Sequence, residues 1–477
     1  MKLLFLNVST YRFSISKEHA YWNKIKRVCA EKIYTDVSGI EFQEKRSICR
    51  GLWTIASEAN KLGHEVKWID VSPDLPQISS EFYKWADQVW LYAISPTFNY
   101  LKRQAQYAKT VNNSVDIVIG GPHVRYLFDE ILQRYTAFDF VEHEQAQATA
   151  IASFIDTPRL IPGIAYKNKK GKLVKIPSSY SENYRETIED SFLPKSIDKY
   201  HLNISSSRGC SRNCSFCLDG KIKYCKRELD DFKNELMHID TISKKNDIVH
   251  LFDTSIWSDS KRCLEISDFI ENNLCNNIYS CDLDTRDVKL EILKAMHNAR
   301  IRAVSIGFES CVDEVLNYVS KNGSFNERLE LATKVKNEMP KTIIKAYWLL
   351  GLPGSTKRSL NKELEGIKYV LKNKFVDLVS SKLFVPYPGT IFFNNPSSYN
   401  LVLDKDFEKF DRFHTPPVCY PKDVGKSYLG KILLESEKLI ANQYCERLGL
   451  SPDSVFNNDE IPTRYNGNLY TSYNEIS

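Results

Sequence analysis

No run of apolar residues in this 477-residue chain approaches the roughly 20 that a membrane-spanning helix requires, which excludes a helical membrane protein. The apolar opening Leu3–Val8 is followed almost at once by Tyr11 and Arg12. It lacks the longer apolar stretch and small-residue cleavage site of a secretory leader, so a cytoplasmic location is expected. An excess of one charge is also missing. Lys and Arg number 65 against 60 Asp and Glu, a net of +5 dispersed in mixed-sign segments. The basic stretch Lys169–Lys175 reads as a solvated hairpin, and neither a nucleic-acid partner nor a membrane partner is expected. There is no internal repeat. What is present, 42% hydrophobic and 26% charged residues, is the composition of an ordinary folded protein, and the length calls for two or three domains.

Twelve cysteines in a long chain without a leader point to reduced thiols, metal ligation or burial rather than to a disulfide framework. Only Cys210, Cys214 and Cys217 are closely spaced. The remaining nine are scattered and read as small core fillers, with Cys225 held open because it lies near the trio.

The chain begins as an α/β protein. Lys2–Asn7, Glu65–Asp70, Gln88–Ile94 and Asp116–Ile119 have the short apolar look of buried parallel strands, and the run Ile48–Leu62 is helical with Gly63 at its C-terminal cap. This alternation predicts an N-terminal doubly wound, Rossmann-like domain over 1–160, with ligands beyond the carboxyl ends of its strands. The polar, aromatic insert from about Ser9 to Ser47 interrupts it, either as a substrate lid or as an elaborated loop. A hairpin and linker cover 161–200. Six further strands follow at Leu202–Ser206, Ile248–Phe252, Ile278–Asp282, Ala303–Phe308, Ile343–Leu350 and Val376–Val385, separated by helical runs such as Leu290–Ala299 and Arg328–Met339. They predict a partial (β/α)6 TIM-like barrel over 201–397, with chemistry at the strand C-termini. A small, mostly helical region, including Lys431–Leu448, completes 398–477.

Directly after the first barrel strand stands Cys210-Ser-Arg-Asn-Cys214-Ser-Phe-Cys217. Three thiolates on one loop can hold three irons of a cubane and leave the fourth without a protein ligand, as a catalytic metal position requires. The alternative is a structural zinc or a fully ligated cluster, for which Cys225 or His201 could supply a fourth ligand.

The loop resembles that of the radical S-adenosylmethionine (SAM) superfamily, and further motifs match in order over about residues 200–395. Leu251-Phe252-Asp253-Thr254 stands where the superfamily has an acidic motif after the second strand. Ile306-Gly307-Phe308-Glu309-Ser310 resembles its G-x-E-S, Trp348-Leu349-Leu350-Gly351-Leu352-Pro353-Gly354 its G-x-P-G, and Pro386-Tyr387-Pro388-Gly389-Thr390 closes the set. The resemblance implies a [4Fe-4S] cluster on Cys210, Cys214 and Cys217, and SAM held by Phe216, Asp253, Thr254, Glu309, Trp348, Leu350, Gly351, Pro353 and Tyr387. Asp284 and Arg286 are further candidates after the third strand. It also implies reductive cleavage of SAM to methionine and a 5′-deoxyadenosyl radical, with electrons from a flavodoxin- or ferredoxin-type donor. Taken singly, Asp253 and Glu309 could equally be capping or barrel-rim carboxylates, and the Gly-Pro elements simple turns.

Residues 48–145 resemble the cobalamin-binding domain that precedes this barrel in one class of the superfamily. The likeness rests on Lys61–Val66, Ser95-Pro96-Thr97 and Gly120-Gly121-Pro122-His123-Val124. Ser95, Thr97, Gly120, Gly121, Pro122, His123 and Glu142 are thereby implied to meet the corrin. The chain departs from the class in having Asn7-Val8-Ser9 for Asn-Pro-Pro and Glu142-His143-Glu144 for Gly-Glu-Gly-Glu, and it has no D-x-H-x-x-G signature for a lower axial histidine. A domain that keeps this fold without corrin is the alternative. The expected reaction is methylation of an unactivated carbon or phosphorus of a small-molecule or peptide biosynthetic intermediate. The alternatives are a cobalamin-dependent cyclase, oxidase or rearrangement enzyme, and a non-catalytic iron–sulfur or cobalamin carrier. Tyr92, Phe98, Trp257, Tyr347, Trp348 and Tyr387 sit at strand ends, where aromatics serve in packing more often than in lining a cavity.

Overall fold

The computed structural model describes residues 1–8, 10–14, 16–40, 45–71, 78–178, 183–195, 197–253, 259–285, 288–410, 416–455 and 464–468. Thr254, Trp257 and Arg286 lie outside them. Among the described residues no helix is long and apolar enough to cross a membrane.

The first sheet is built from β1 (Lys2–Val8), β2 (Glu65–Val71), β3 (Gln88–Tyr92), β4 (Asp116–Gly120), β5 (Phe140–Glu142), β6 (Ile164–Lys167) and β7 (Leu173–Lys175). The order β2-β1-β3-β4-β5-β6-β7 is parallel as far as β5, and the last two strands form an antiparallel hairpin along the edge. The apolar strands are buried because helices cover the sheet. Leu3 and Phe5 face one core, while Leu4 and Leu6 face another, as alternation along a strand requires. The turn before β2 needs Gly63, whose φ of 85° is the left-handed conformation that ends helix Arg50–Lys61. The lysine-rich hairpin expected in the linker thus extends this sheet.

The second sheet contains β8 (Tyr200–Ile204), β9 (Ile248–Leu251), β10 (Ile278–Leu283), β11 (Ile301–Glu309), β12 (Ile343–Leu350) and β13 (Leu378–Leu383). They pair in parallel and in sequence order, and Arg46–Ser47 adds a two-residue strand beside β8. This is the curled half-barrel sheet with helices outside. Ile344, Ala346, Trp348 and Leu350 of β12 pack outward into the core, so Lys345, Tyr347 and Leu349 face the lumen.

The insert is neither a lid nor a loop over its described length. Lys17–Ser38 is a helix, capped by Ser16, which accepts from the His19 amide at 3.1 Å, and ended by Gly39 in the left-handed region. It packs on helix Lys426–Leu448 and on β12, where Lys26 forms a buried ion pair with Glu437. The chain then runs to the other edge of the half-barrel, where Lys45 Nζ meets Asp247 at 2.7 Å and Arg46–Ser47 pairs with Tyr200–His201. From Lys17 on, the described part of the insert therefore packs with the second sheet, whereas Thr10–Ser14 pairs antiparallel with Arg464–Asn468 in a separate two-stranded sheet.

Candidate active site

The cluster loop is shaped by close backbone approaches. Gly209 has φ of 75°, and a Cβ there would lie 2.5 Å from the Ile222 carbonyl oxygen; one on Gly220 would lie 2.3 Å from that of Arg212. Only glycine permits both contacts. The Cys210 amide donates to Asp219 O at 3.1 Å, Cys217 to Cys214 O at 3.0 Å and Ser215 to Val319 O at 3.0 Å. All three cysteines are half-buried, whereas Cys29, Cys49, Cys225, Cys263, Cys281, Cys419 and Cys445 are buried. All of these buried cysteines but Cys225 fill core space as expected. Cys275 is exposed and Cys311 half-buried.

Three thiols within one loop, partly open to an incoming group, fit a three-thiolate cluster in kind. Burial pushes the Cys217 thiol up to about 12, with Asp219 adding to the effect, and burial raises Cys214 as well. A cationic metal is what would hold them as thiolates. The candidate fourth ligands are engaged elsewhere. Cys225 is buried in the strand Cys225–Arg227, with its Sγ 4.0 Å from Arg208 O, and His201 accepts from the Lys45 amide at the opposite end of β8.

Asp253 is only 2% exposed and accepts from the Ser206 amide at 2.9 Å, from Ser206 Oγ at 3.1 Å and from Ser207 Oγ. Burial raises its carboxyl above the ordinary range, against the pull of those hydrogen bonds. Its oxygens hold the turn that launches the cluster loop. Glu309 closes β11 at a bulge, with φ of 60°, and its Oε1 lies 3.3 Å from Lys321 Nζ. A Cβ on Gly307 would stand 2.6 Å from that carboxylate and 2.9 Å from the ammonium, which explains the glycine of the motif.

Lys321 was not singled out from the sequence. It lies twelve residues beyond Glu309, with no local pattern to mark it. Burial would lower its pKa, but Glu309, Cys214 and Asp284 raise it further, so the ammonium is retained. Arg328, fully buried, donates to Gly307 O at 3.1 Å and to Gly323 O and Ser324 O at 2.7 Å, clamping the segment that carries Lys321. Asp284 approaches Arg212 of the cluster loop at 3.9 Å.

Other expected SAM residues separate into two groups. Phe216 and Tyr387 pack against the apolar cluster that contains Leu352, Phe384 and Phe392 and borders Leu349. Trp348 instead points outward: its Nε1 donates to Glu363 Oε2 at 2.6 Å and its ring stacks on Phe308 at 5.6 Å. Leu350 is in the same outer core, and a Cβ on Gly351 would strike Leu429 of helix Lys426–Leu448 at 2.7 Å. Strand alternation therefore turns the Trp348 and Leu350 side chains into the outer packing layer, leaving only their backbone toward the expected SAM side. Pro353 is buried in the turn beyond them.

The seven expected corrin residues gather at the carboxyl edge of β3, β4 and β5. Glu142 accepts from the Gly121 amide at 2.5 Å and from Arg125 at 2.7 and 3.0 Å. Thr97 Oγ1 bonds back to Ile94, Pro122 opens the short helix Pro122–Arg125, and Gly121 has φ of 109° where a Cβ would stand 2.5 Å from Ala93 O. His123 is 1% exposed; its Nδ1 meets Ser95 Oγ at 3.0 Å, while its Nε2 is buried without a hydrogen-bond partner. Burial pushes its pKa down to about 3. Phe98 and Phe407 each stand 4.5 Å from the imidazole. A strand-end edge with an orphaned, neutral imidazole nitrogen fits a corrin-binding edge in kind.

The two strand-end regions meet. Lys221, from the cluster loop, donates to Gly389 O, and the Tyr126 ring, from the loop after β4, lies against Gly389, where any Cβ would come within 2.4 Å of it.

Family comparisons agree with this geometry. The radical SAM superfamily profile matches residues 204–365 and the B12-binding domain profile residues 47–152. An uncharacterized methyltransferase, PH0819 of Pyrococcus horikoshii, is 23% identical over 393 residues, 78% of this chain and 83% of the relative. The anaerobic magnesium-protoporphyrin IX monomethyl ester cyclase of Rubrivivax gelatinosus is 24% identical over 69% of this chain and 61% of its own. In fold, the chain is similar to the radical SAM methyltransferase TsrM of Kitasatospora setae, solved with cobalamin and a [4Fe-4S] cluster, with TM-score 0.59 and 12% identity over 80% of this chain and 72% of that one. The curled parallel sheet with a three-cysteine loop after its first strand defines a radical SAM enzyme. With the B12-binding domain ahead of that sheet, the chain belongs to the cobalamin-dependent radical SAM family, whose cofactors are a [4Fe-4S] cluster, SAM and cobalamin.

Proposed function

We propose that this enzyme transfers a methyl group to an unactivated carbon, or to phosphorus, of a small-molecule or peptide intermediate. The observation that supports this reading is the meeting at Gly389 of the cluster loop, through Lys221, with the corrin-side loop, through Tyr126. Bound together, the cofactors supply one-electron cleavage of SAM and a methyl carrier. Cys210, Cys214 and Cys217 supply the thiolates. Glu309 and Lys321 present a carboxylate and an ammonium side by side at the barrel lip, where the two ends of a zwitterionic ligand find complementary charge. Asp253 and Arg328 hold the backbone beneath them. Phe216, Leu349 and Tyr387 border an apolar layer that excludes water from the mouth. Ser95, Gly120, Gly121, His123 and Glu142 form the edge for the corrin, and a flavodoxin- or ferredoxin-type donor supplies electrons.

The test is anaerobic reconstitution with cobalamin and iron, followed by product analysis. Both S-adenosylhomocysteine and 5′-deoxyadenosine are expected. 5′-Deoxyadenosine alone would replace methyl transfer by a cyclisation or oxidation, the kind of reaction named for the Rubrivivax relative. Bound cofactors without SAM cleavage would leave a carrier.

A further inference from the structure

We infer that Glu186, in the linker between the two sheets, is a positioning residue: it clamps both ends of the cluster loop and ties them to the first turn of the corrin-side helix, so that the seating of SAM depends on it. The inference rests on the radical SAM assignment of that loop and holds whichever product the enzyme makes.

The cluster loop has a built base. Its entry, Ser207–Arg208, pairs antiparallel with its exit, Cys225–Arg227, and Asn183–Tyr184 of the linker adds a third strand beside the exit. Two residues past that third strand stands Glu186, only 4% exposed, and each of its polar groups has a partner. Its amide donates to Asp231 Oδ2 at 3.0 Å, and its carbonyl oxygen accepts from Arg227 Nη2 at 2.9 Å. One carboxylate oxygen pairs with Arg208, whose guanidinium lies 5.0 Å from the centre of the Tyr184 ring, and the other accepts from Arg50 Nη2 at 3.0 Å. Arg208 precedes Cys210 by two residues, and Arg227 belongs to the exit strand, so one residue meets both ends of the loop.

The third tie leads to the first sheet. Arg50 opens helix Arg50–Lys61 and also donates to both carboxylate oxygens of Glu235, at 2.7 Å from Nη2. The Cys49 amide before it donates at 3.0 Å to Asn7 Oδ1, near the carboxyl end of β1, and a Cβ on Gly51 after it would stand 3.6 Å from the Tyr92 ring at the end of β3. The helix start is thus fixed to the strand ends of the first sheet, while its first side chain is fixed to the base of the cluster loop. Arg227 completes the network with Asp231 at 2.6 Å and Glu235 at 2.5 Å. Three guanidinium groups meet three carboxylates, and planar forks paired in this way set angles as well as distances. Glu186 is the member whose two arginines come from different sheets, so its loss frees the loop base from the corrin side. A tilt at the base is carried to the three cysteines, and a misplacement of about 1 Å at a reacting centre can cost about 100-fold in rate.

The test uses the full-length enzyme, reconstituted anaerobically, and reads three quantities that need no turnover: iron content, the dissociation constant for SAM, and the change that SAM produces in the electron paramagnetic resonance spectrum of the reduced cluster. Glu186→Gln and Arg208→Gln should each weaken SAM by about tenfold and blunt that spectral change, while iron stays at the wild-type level. The double variant Glu186→Gln/Arg208→Gln restores the charge balance and keeps the test open where a single variant fails to fold. It should be no worse than the weaker single variant, because the same tie is lost in all three. Lys45→Gln breaks a different buried ion pair, that with Asp247 at the edge of the half-barrel, and should lose stability in urea without changing SAM affinity. The inference is overturned if the Glu186 variants bind SAM like wild type, if iron is lost in step with SAM, if the two single effects multiply in the double variant, or if Lys45→Gln weakens SAM as much. A failure of the methyl-transfer reading would appear separately, in the products, with all of these readouts intact.

Discussion

The strand ends of the two sheets solve different problems with different materials. At the first sheet, polar groups are largely spent on one another: Glu142 on Gly121 and Arg125, Thr97 on Ile94, Ser95 on His123. What this edge offers a ligand is shape, backbone and a single neutral imidazole nitrogen. At the second sheet charge is kept at the lip and in the lumen, in Glu309, Lys321, Lys345 and Lys382. The first edge suits a large flat cofactor by contour and the second a small charged ligand by paired charges, and the difference predicts which surfaces tolerate substitution.

The sharpest break in that comparison is Cys214→Ala. It should abolish the brown absorbance of the cluster and all SAM cleavage while corrin binding persists, and turnover by the reconstituted variant would remove the loop from the site. Next in size, Glu309→Gln strands a buried ammonium and should cost about 3 kcal/mol of stability in urea denaturation. Replacing Lys321 by Met in the same protein should return most of that loss, whereas SAM binding should stay weak in both. On the first sheet, Glu142→Gln removes the charge that pairs with Arg125 and one of the two oxygens that accept from Gly121 and Arg125, and should cost about 2 kcal/mol, lowering cobalamin content but not iron content. Equal loss of both metals would erase the contrast between the edges.

The smallest effect is one of pH. Burial holds the His123 pKa at about 3, below its ordinary value of 6.5, so the folded chain keeps this imidazole neutral while the unfolded chain protonates it. The resulting stability is present above pH 6.5 and is lost as pH falls toward the folded value. Between about pH 7 and pH 5.5 the loss should be about 1 kcal/mol, and His123→Gln should flatten that limb by the same amount.

Much of this was legible in sequence because the strands are apolar runs bounded by glycine and polar turns. Ile343–Leu350 is identical in expectation and structure, and most other strands differ by a residue or two at their ends. The helix Lys17–Ser38 was not legible. Its inner side mixes Ile25, Cys29 and Ile33 with His19, Asn23 and Lys26, and the partner that makes Lys26 acceptable inside, Glu437, lies over 400 residues away. Trp348 and Leu350 show a second limit. A motif names neighbours in the chain, but alternation assigns them to opposite faces, and only Leu349 of that triplet turns inward. Lys321 reaches Glu309 through packing that no local pattern records.

The path of the chain through the insert has a consequence for how the protein is made. In chain order Lys17–Ser38 and Arg46–Ser47 follow a strand of the first sheet, and their partners on β8, β12 and the helix Lys426–Leu448 are made much later. The N-terminal half cannot be cut away cleanly: a chain begun near residue 195 would lack the pieces that border both edges of the half-barrel. The two halves are interlaced like overlapping hems, and an isolated barrel should come out of the ribosome needing a segment supplied in trans, residues 16–47, to become soluble.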